Sequence, residues 1–107
     1  MTACIPLTRE MLKNPLDLDL PDTPLDFSQA RALADQRARE VGGEPMLLAW
    51  YNGATGEYSP QVPCCGDDRP SWLVYAESRG GDLIIDINRE AYVFVYRRDL
   101  PEDMANL

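Results

Sequence analysis

Trp72-Leu-Val-Tyr-Ala-Glu-Ser-Arg-Gly-Gly-Asp-Leu-Ile-Ile-Asp-Ile-Asn-Arg-Glu-Ala-Tyr-Val-Phe-Val-Tyr-Arg97 is the stretch whose reading decides the fold. It holds three short apolar runs, rich in β-branched and aromatic residues, separated by Arg79-Gly80-Gly81-Asp82 and by Asn88-Arg89-Glu90-Ala91. Runs of this length bounded by turn chemistry predict an antiparallel meander with strands near 72–78, 82–87 and 91–97. Gly80-Gly81 can supply the two positive φ angles of a type I′ hairpin turn. That turn would set Ala76 opposite Ile85, Val74 opposite Ile87 and Tyr75 opposite Asp86. A two-residue second turn centred on Arg89-Glu90 puts Tyr92, Phe94 and Tyr96 on one face with Leu83, Ile85 and Ile87, and sends Val93 and Val95 to the other. A three-residue loop would exchange those sets.

Outward from this stretch, Asp26-Phe-Ser-Gln29 opens a helix predicted over 26–42. An Asp N-cap with Gln three residues later is a capping-box variant, and Leu25 can pack on the first turn. Phe27, Ala30, Leu33, Ala34, Ala38 and Val41 fall on one stripe, and Gly42-Gly43 ends the helix. Leu16-Asp-Leu-Asp-Leu20 alternates strictly between prolines, the pattern of a half-buried edge strand with Asp17 and Asp19 in solvent. With Asp22 the two acids could also bind a cation, although period-two acid on a solvent face explains them without metal. Met46–Asn52 reads as a strand. Asn52-Gly53 is a tight-hairpin signal, and Thr55-Gly56 allows instead a longer loop before a short strand at 57–59.

The fold class these elements predict is α+β: one amphipathic helix packed on a mostly antiparallel sheet of about five strands with a C-terminal meander. The 107 residues suit one domain, with 1–15 and 99–107 peripheral or poorly ordered. The run Trp72 to Asn88, with the helix before it and Tyr92-Val-Phe-Val-Tyr-Arg97 after it, resembles a family of small prokaryotic proteins known as a domain of unknown function. The likeness runs over roughly residues 16–98 and implies one domain. It brings no catalytic or binding residues with it.

Composition narrows the chemistry. The net charge is −8, while 26–43 and 72–98 are each balanced, so the excess acid lies outside the predicted core. Such a surface repels phosphate backbones, and neither nucleic acid nor an anionic membrane is an expected partner. No apolar window is long enough to span a bilayer, and no basic region followed by an apolar one opens the chain. Three cysteines make no disulfide framework, and a cytoplasmic location is expected. There is no histidine, which removes the usual neutral-pH general base and most catalytic zinc sites. Lys13 is the sole lysine, and no Gly-rich phosphate loop surrounds it.

Two constellations remain. Cys64 and Cys65, followed by Asp67 and Asp68, lie on a Pro- and Gly-flanked loop and are the candidate thiol or metal site. The spacing matches neither a structural zinc site nor a thioredoxin-like motif, and hard Asp oxygens suit thiolates poorly, so no metal and no cofactor are expected. The second is the sheet face that one helix leaves uncovered. Leu73, Tyr75, Glu77, Ile84, Asp86 and Val95 make it a candidate groove or interface, with a homodimer or another protein as the partner it suits. The leading functional expectation is a non-enzymatic cytoplasmic binding or assembly module. The alternative is a small thiol-redox or metal-binding protein using the Cys64-Cys65 loop.

Overall fold

The computed structural model describes residues 7–20, 24–41, 44–62 and 69–98. Five strands form one mixed sheet in the order β1-β4-β5-β2-β3: β1 Leu16–Leu18, β2 Met46–Asn52, β3 Tyr58–Ser59, β4 Leu83–Ile87 and β5 Tyr92–Arg97. Only the β1–β4 pair is parallel. Helix α1, Phe27–Val41, crosses from β1 to β2 over one face, and helix α2, Ser71–Ser78, packs on β2 and β5. The fold is α+β with a mostly antiparallel five-stranded sheet.

Helix α1 begins as its sequence dictates. Asp26 Oδ1 accepts a hydrogen bond from the Gln29 N–H at 2.8 Å, and Gln29 Oε1 accepts one from the Asp26 N–H at 3.0 Å. These reciprocal bonds satisfy two donors that a helix start otherwise leaves open. Ala30, Ala34 and Ala38 are fully buried against Leu83, Ile85, Ile87, Phe94 and Tyr96. Their small side chains let the helix lie close to the sheet. Phe27 fills the remaining space, 4.5 Å from the Trp50 ring and 5.7 Å from that of Phe94. Tyr96, also buried, donates from its hydroxyl to Asp35 at 2.5 Å, and burial followed by that acceptor pushes its acidity far below the ordinary phenol.

The strand expected at 72–78 is a helix, which corrects the three-strand meander. Trp72, Leu73 and Ala76 are buried, at i, i+1 and i+4, the stripe of a short amphipathic turn and a half. Gly80 and Gly81 end this helix instead of turning a hairpin. Gly80 lies at φ +87°, its N–H bonds to Glu77 O at 3.1 Å, and the Gly81 N–H bonds to Ala76 O at 2.8 Å. That pair of bonds is a Schellman cap, which needs one left-handed residue where the I′ turn needs two. Gly81 is required for proximity: a Cβ there would stand 2.9 Å from both Ala76 O and Val95 Cγ1. The predicted pairing of Ala76, Val74 and Tyr75 with β4 therefore does not form.

The β4–β5 pairing agrees with the two-residue turn. Ile87 faces Tyr92, Ile85 faces Phe94 and Leu83 faces Tyr96, all toward α1, while Ile84, Val93 and Val95 face away. In β2 the register slips between Leu47 and Ala49. This bulge lets Leu47 and Trp50 pack on the α1 side while Leu48, Ala49 and Tyr51 pack on the other.

The second sheet face is covered. Leu73, Ile84 and Val95, expected to be left over for a partner, are buried with Leu12, Trp72, Ala76 and Val93, and Leu7 and Met11 pack on the same cluster. Trp72 stacks on Tyr51 with ring centres 5.5 Å apart. The cover consists of α2 and the segment from Leu7 to Pro15, which carries a 3-10 turn at Arg9–Met11. That segment, expected to be peripheral, contributes a core residue in Leu12, 6% exposed. The ground on which self-association was expected is removed.

Candidate functional site

The feature that departs most from ordinary chain geometry is the β4–β5 turn. Asn88, Arg89 and Glu90 take φ of 51°, 55° and 65° in succession, and none is glycine. Left-handed backbone costs an L-residue roughly 1–2 kcal/mol, so neighbours must impose it. Three contacts do so. Asn88 donates its N–H to Leu18 O at 2.9 Å and accepts the Leu20 N–H on Oδ1 at 2.6 Å. Gly53 lies against the turn from the β2–β3 loop, donating to Ala91 O at 2.8 Å; a Cβ there would reach Glu90 O at 2.4 Å. Asp86 Oδ1 accepts the Glu90 N–H at 2.5 Å from inside.

Asp86 is the focus of the site. Its side chain is wholly buried, facing away from α1 on a strand that is otherwise Leu and Ile. β1 pairs in parallel with β4 so that Asp17 is directly beside Asp86. The segment before β1 lays Arg9 across both. Arg9 Nη2 donates to Asp17 Oδ2 at 2.8 Å, Arg9 Nη1 pairs with Asp17 Oδ1 and donates to Asp86 Oδ2 at 2.8 Å, and Glu90 Oε2 lies 3.7 Å from the same nitrogen. One guanidinium thus serves three carboxylates. Arg9, Asp17, Leu18, Asp19, Asp86, Arg89 and Glu90 line a cavity of about 300 Å³ at the carboxyl ends of the parallel pair.

The electrostatics follow from this crowding. Burial pushes the Asp86 carboxyl up to about 7; contact with the Glu90 side chain adds to the shift, while the Glu90 N–H and Arg9 oppose it. The Arg9 hydrogen bond holds Asp17 below the usual carboxylate range. Glu90 Oε2 is buried without a hydrogen-bond partner. A carboxyl titrating near neutral in a concave polar site is suited to exchanging a proton or to meeting a cation.

The residues singled out from sequence are dispersed. Of the groove set, Asp86 alone lines this recess. Glu77, Ile84 and Val95 line a second one of about 280 Å³ with Lys13, Asn14, Gly81 and Asp82. Glu77 also pairs with Arg69 at 2.5 Å. Leu73 is in the core, and half-buried Tyr75 lies under the Arg79 guanidinium, 5.1 Å from the ring centre. Cys64, Cys65, Asp67 and Asp68 lie outside the described residues, as does Asp22. Asp17 and Asp19 do line a polar site, but Asp17 is held by a guanidinium where a cation had been considered. Arg9, Arg89 and Glu90 were not foreseen. Among the described residues no cluster of three or more Cys, Asp or Glu is placed to hold a metal ion, and no helix is long and apolar enough to cross a membrane.

A βαβ crossover, a second short helix and a strap closing an acidic recess define a small α+β protein with a polar cavity at its parallel edge. The chain belongs to a family described as a domain of unknown function, DUF5619, whose model matches residues 13–96. An uncharacterised protein of Archaeoglobus fulgidus is 40% identical over 64 residues, 57% of this chain and 68% of the relative. A crystal structure of a novel protein from the same organism superposes with a TM-score of 0.70 at 28% identity, covering 83% of this chain and 98% of the other.

Proposed function

We propose that this chain is a non-enzymatic binding module whose ligand site is the recess under Arg9, and that the ligand presents a cationic nitrogen. The supporting observation is the recess itself. Its charged lining is four carboxylates, Asp17, Asp19, Asp86 and Glu90, against two guanidiniums, Arg9 and Arg89. Arg9 engages Asp17 and Asp86 at hydrogen-bond distance and Glu90 at 3.7 Å, which makes Glu90, whose Oε2 has no hydrogen bond, the acceptor best placed to meet a guest. The net charge of −8 would draw cations toward it. A volume of about 300 Å³ is at the small end of ligand sites, so a small amine or guanidine fits and a nucleotide does not. A cytoplasmic setting goes with this reading and is supported by the odd cysteine count.

Calorimetric titration with ethylammonium and ethylguanidinium, against acetate and inorganic phosphate, tests the reading. The cations should bind and the anions should not, and Glu90→Gln should weaken cation binding about tenfold, as expected for losing a charge-assisted hydrogen bond. Absence of cation binding at millimolar concentration, or a preference for anions, would overturn it.

A further inference from the structure

We propose that the guest of this recess is a zwitterion, a short ω-amino carboxylate, whose ammonium meets Glu90 and Asp19 and whose carboxylate meets the guanidinium of Arg89. The inference rests on the reading of the recess as a cation site and adds a second charge to its guest. What carries it is an arginine without a partner in an acid-rich cavity. Arg89 lines the recess beside four carboxylates, yet among the described residues it enters no ion pair. Asp19, exposed like Arg89, enters none either. Arg9, by contrast, is committed to Asp17 through both terminal nitrogens and to Asp86 at 2.8 Å.

The turn fixes the point from which Arg89 reaches out. Its φ of 55° is the middle one of three left-handed values, a conformation held by Leu18 O and the Leu20 N–H on Asn88 and by the Glu90 N–H on Asp86. Arg89 and Glu90, adjacent in the chain, thus bring one cation and one anion to the same cavity from a constrained backbone. A guest carrying only an ammonium gains from Glu90 and Asp19 and is repelled by Arg89, so a recess made for a bare cation would do better without that arginine. A carboxylate on the same guest turns the repulsion into a charge-assisted, bidentate pair. Asp17 and Asp86 oppose that carboxylate less than their number suggests, because Arg9 lies across both. A cavity of about 300 Å³ holds a chain of a few carbons between the two charged ends.

Calorimetric titration of the whole chain compares γ-aminobutyrate with butylammonium, which has a methyl group in place of the carboxylate, and with butyrate, which lacks the amine. The wild type should bind γ-aminobutyrate about tenfold more tightly than butylammonium, the gain from one charge-assisted pair, and should not bind butyrate. Arg89→Gln should abolish that preference, weakening γ-aminobutyrate about tenfold while butylammonium tightens. Arg89→Lys should restore part of it, since the charge returns without the planar fork. If butylammonium binds and γ-aminobutyrate binds no tighter, the zwitterion is wrong and the cation site stands. If neither binds at millimolar concentration, both readings fall together. A preference that survives in Arg89→Gln also overturns the proposal. The wild-type comparison decides the matter should neither variant fold.

Discussion

Arg9 and Asp86 meet at 2.8 Å with one partner half-exposed and the other wholly buried, and this contact joins the start of the described chain to the middle of its sheet. Arg9 also reaches Asp17 through both of its terminal nitrogens. Replacing it with Ala should raise the Asp17 midpoint back to the ordinary carboxylate range, because the Arg9 hydrogen bond is the main cause of its depression. Arg9→Lys should restore part of the shift, since an ammonium carries the charge but not the planar fork. Carboxyl titration by NMR reads both. An Asp17 midpoint that does not move in Arg9→Ala would contradict the assignment.

Stability should depend on pH in a direction opposite to that of most acidic proteins. The Asp86 carboxyl is near 7 when folded and in the ordinary Asp range when unfolded. Between those values the native state binds more protons, so stability falls as pH rises from about 4 to about 7 and levels off above. Asp17, shifted the other way, contributes stability that is lost only at lower pH. Urea midpoints at pH 5 and pH 8 should differ, with the protein tougher at pH 5, and Asp86→Asn should remove most of the difference. A wild-type midpoint higher at pH 8 would rule this out.

The two glycines after α2 should respond differently to alanine. At Gly80 the space is open apart from the flexible Arg97 side chain, 3.6 Å from an added Cβ, so the cost is the left-handed backbone, about 1 kcal/mol. At Gly81 the methyl would press on Ala76 O and Val95 Cγ1, and overpacking of that kind costs ~1–3 kcal/mol. Denaturant titration of both variants should find Gly81→Ala the less stable.

Ile84→Asp separates a covered face from an interface. With Ile84 6% exposed in the cluster of Leu12 and α2, and with Glu77 and Asp82 beside Lys13 in the recess it lines, a carboxylate there should cost several kcal/mol of folding free energy. Circular dichroism melting should show a large fall in Tm, or no folded protein, with no prior dissociation step in sedimentation. A folded Ile84→Asp monomer derived from a wild-type dimer would restore the interface reading.

Much of the sheet was legible in the residues. The Asp26 and Gln29 pair marked the start of α1, and the alternation around Asn88-Arg89-Glu90-Ala91 gave the Ile87–Tyr92 register even though no glycine marked the turn. Trp72 to Ser78 misled because six of its seven residues are apolar or small, and a run that short shows neither period clearly. Gly80-Gly81 fitted two structures equally: a hairpin uses both residues for conformation, whereas here Gly80 supplies φ and Gly81 supplies room. The recess was not legible at all. Its arginine and its buried aspartate lie 77 positions apart, and no local pattern announces that an arginine in a proline-bounded lead segment will close over a strand.

The parallel pairing of Leu16 with Ile85 also fixes an order of events. The strand Leu16–Leu18 has no partner in the described sheet until Leu83–Ile87 has been made. The antiparallel ladder of β4 and β5, closed by a short turn, has the lower loop-closure cost and can form without it. We expect β1 and the Arg9 segment to dock late, onto a sheet already built. Pulse-labelled exchange during refolding should find the β5 amides protected before those of Leu16 to Leu18, and simultaneous protection would refute that sequence. A folding chain would therefore expose Asp86 to water until the Arg9 segment docked over it.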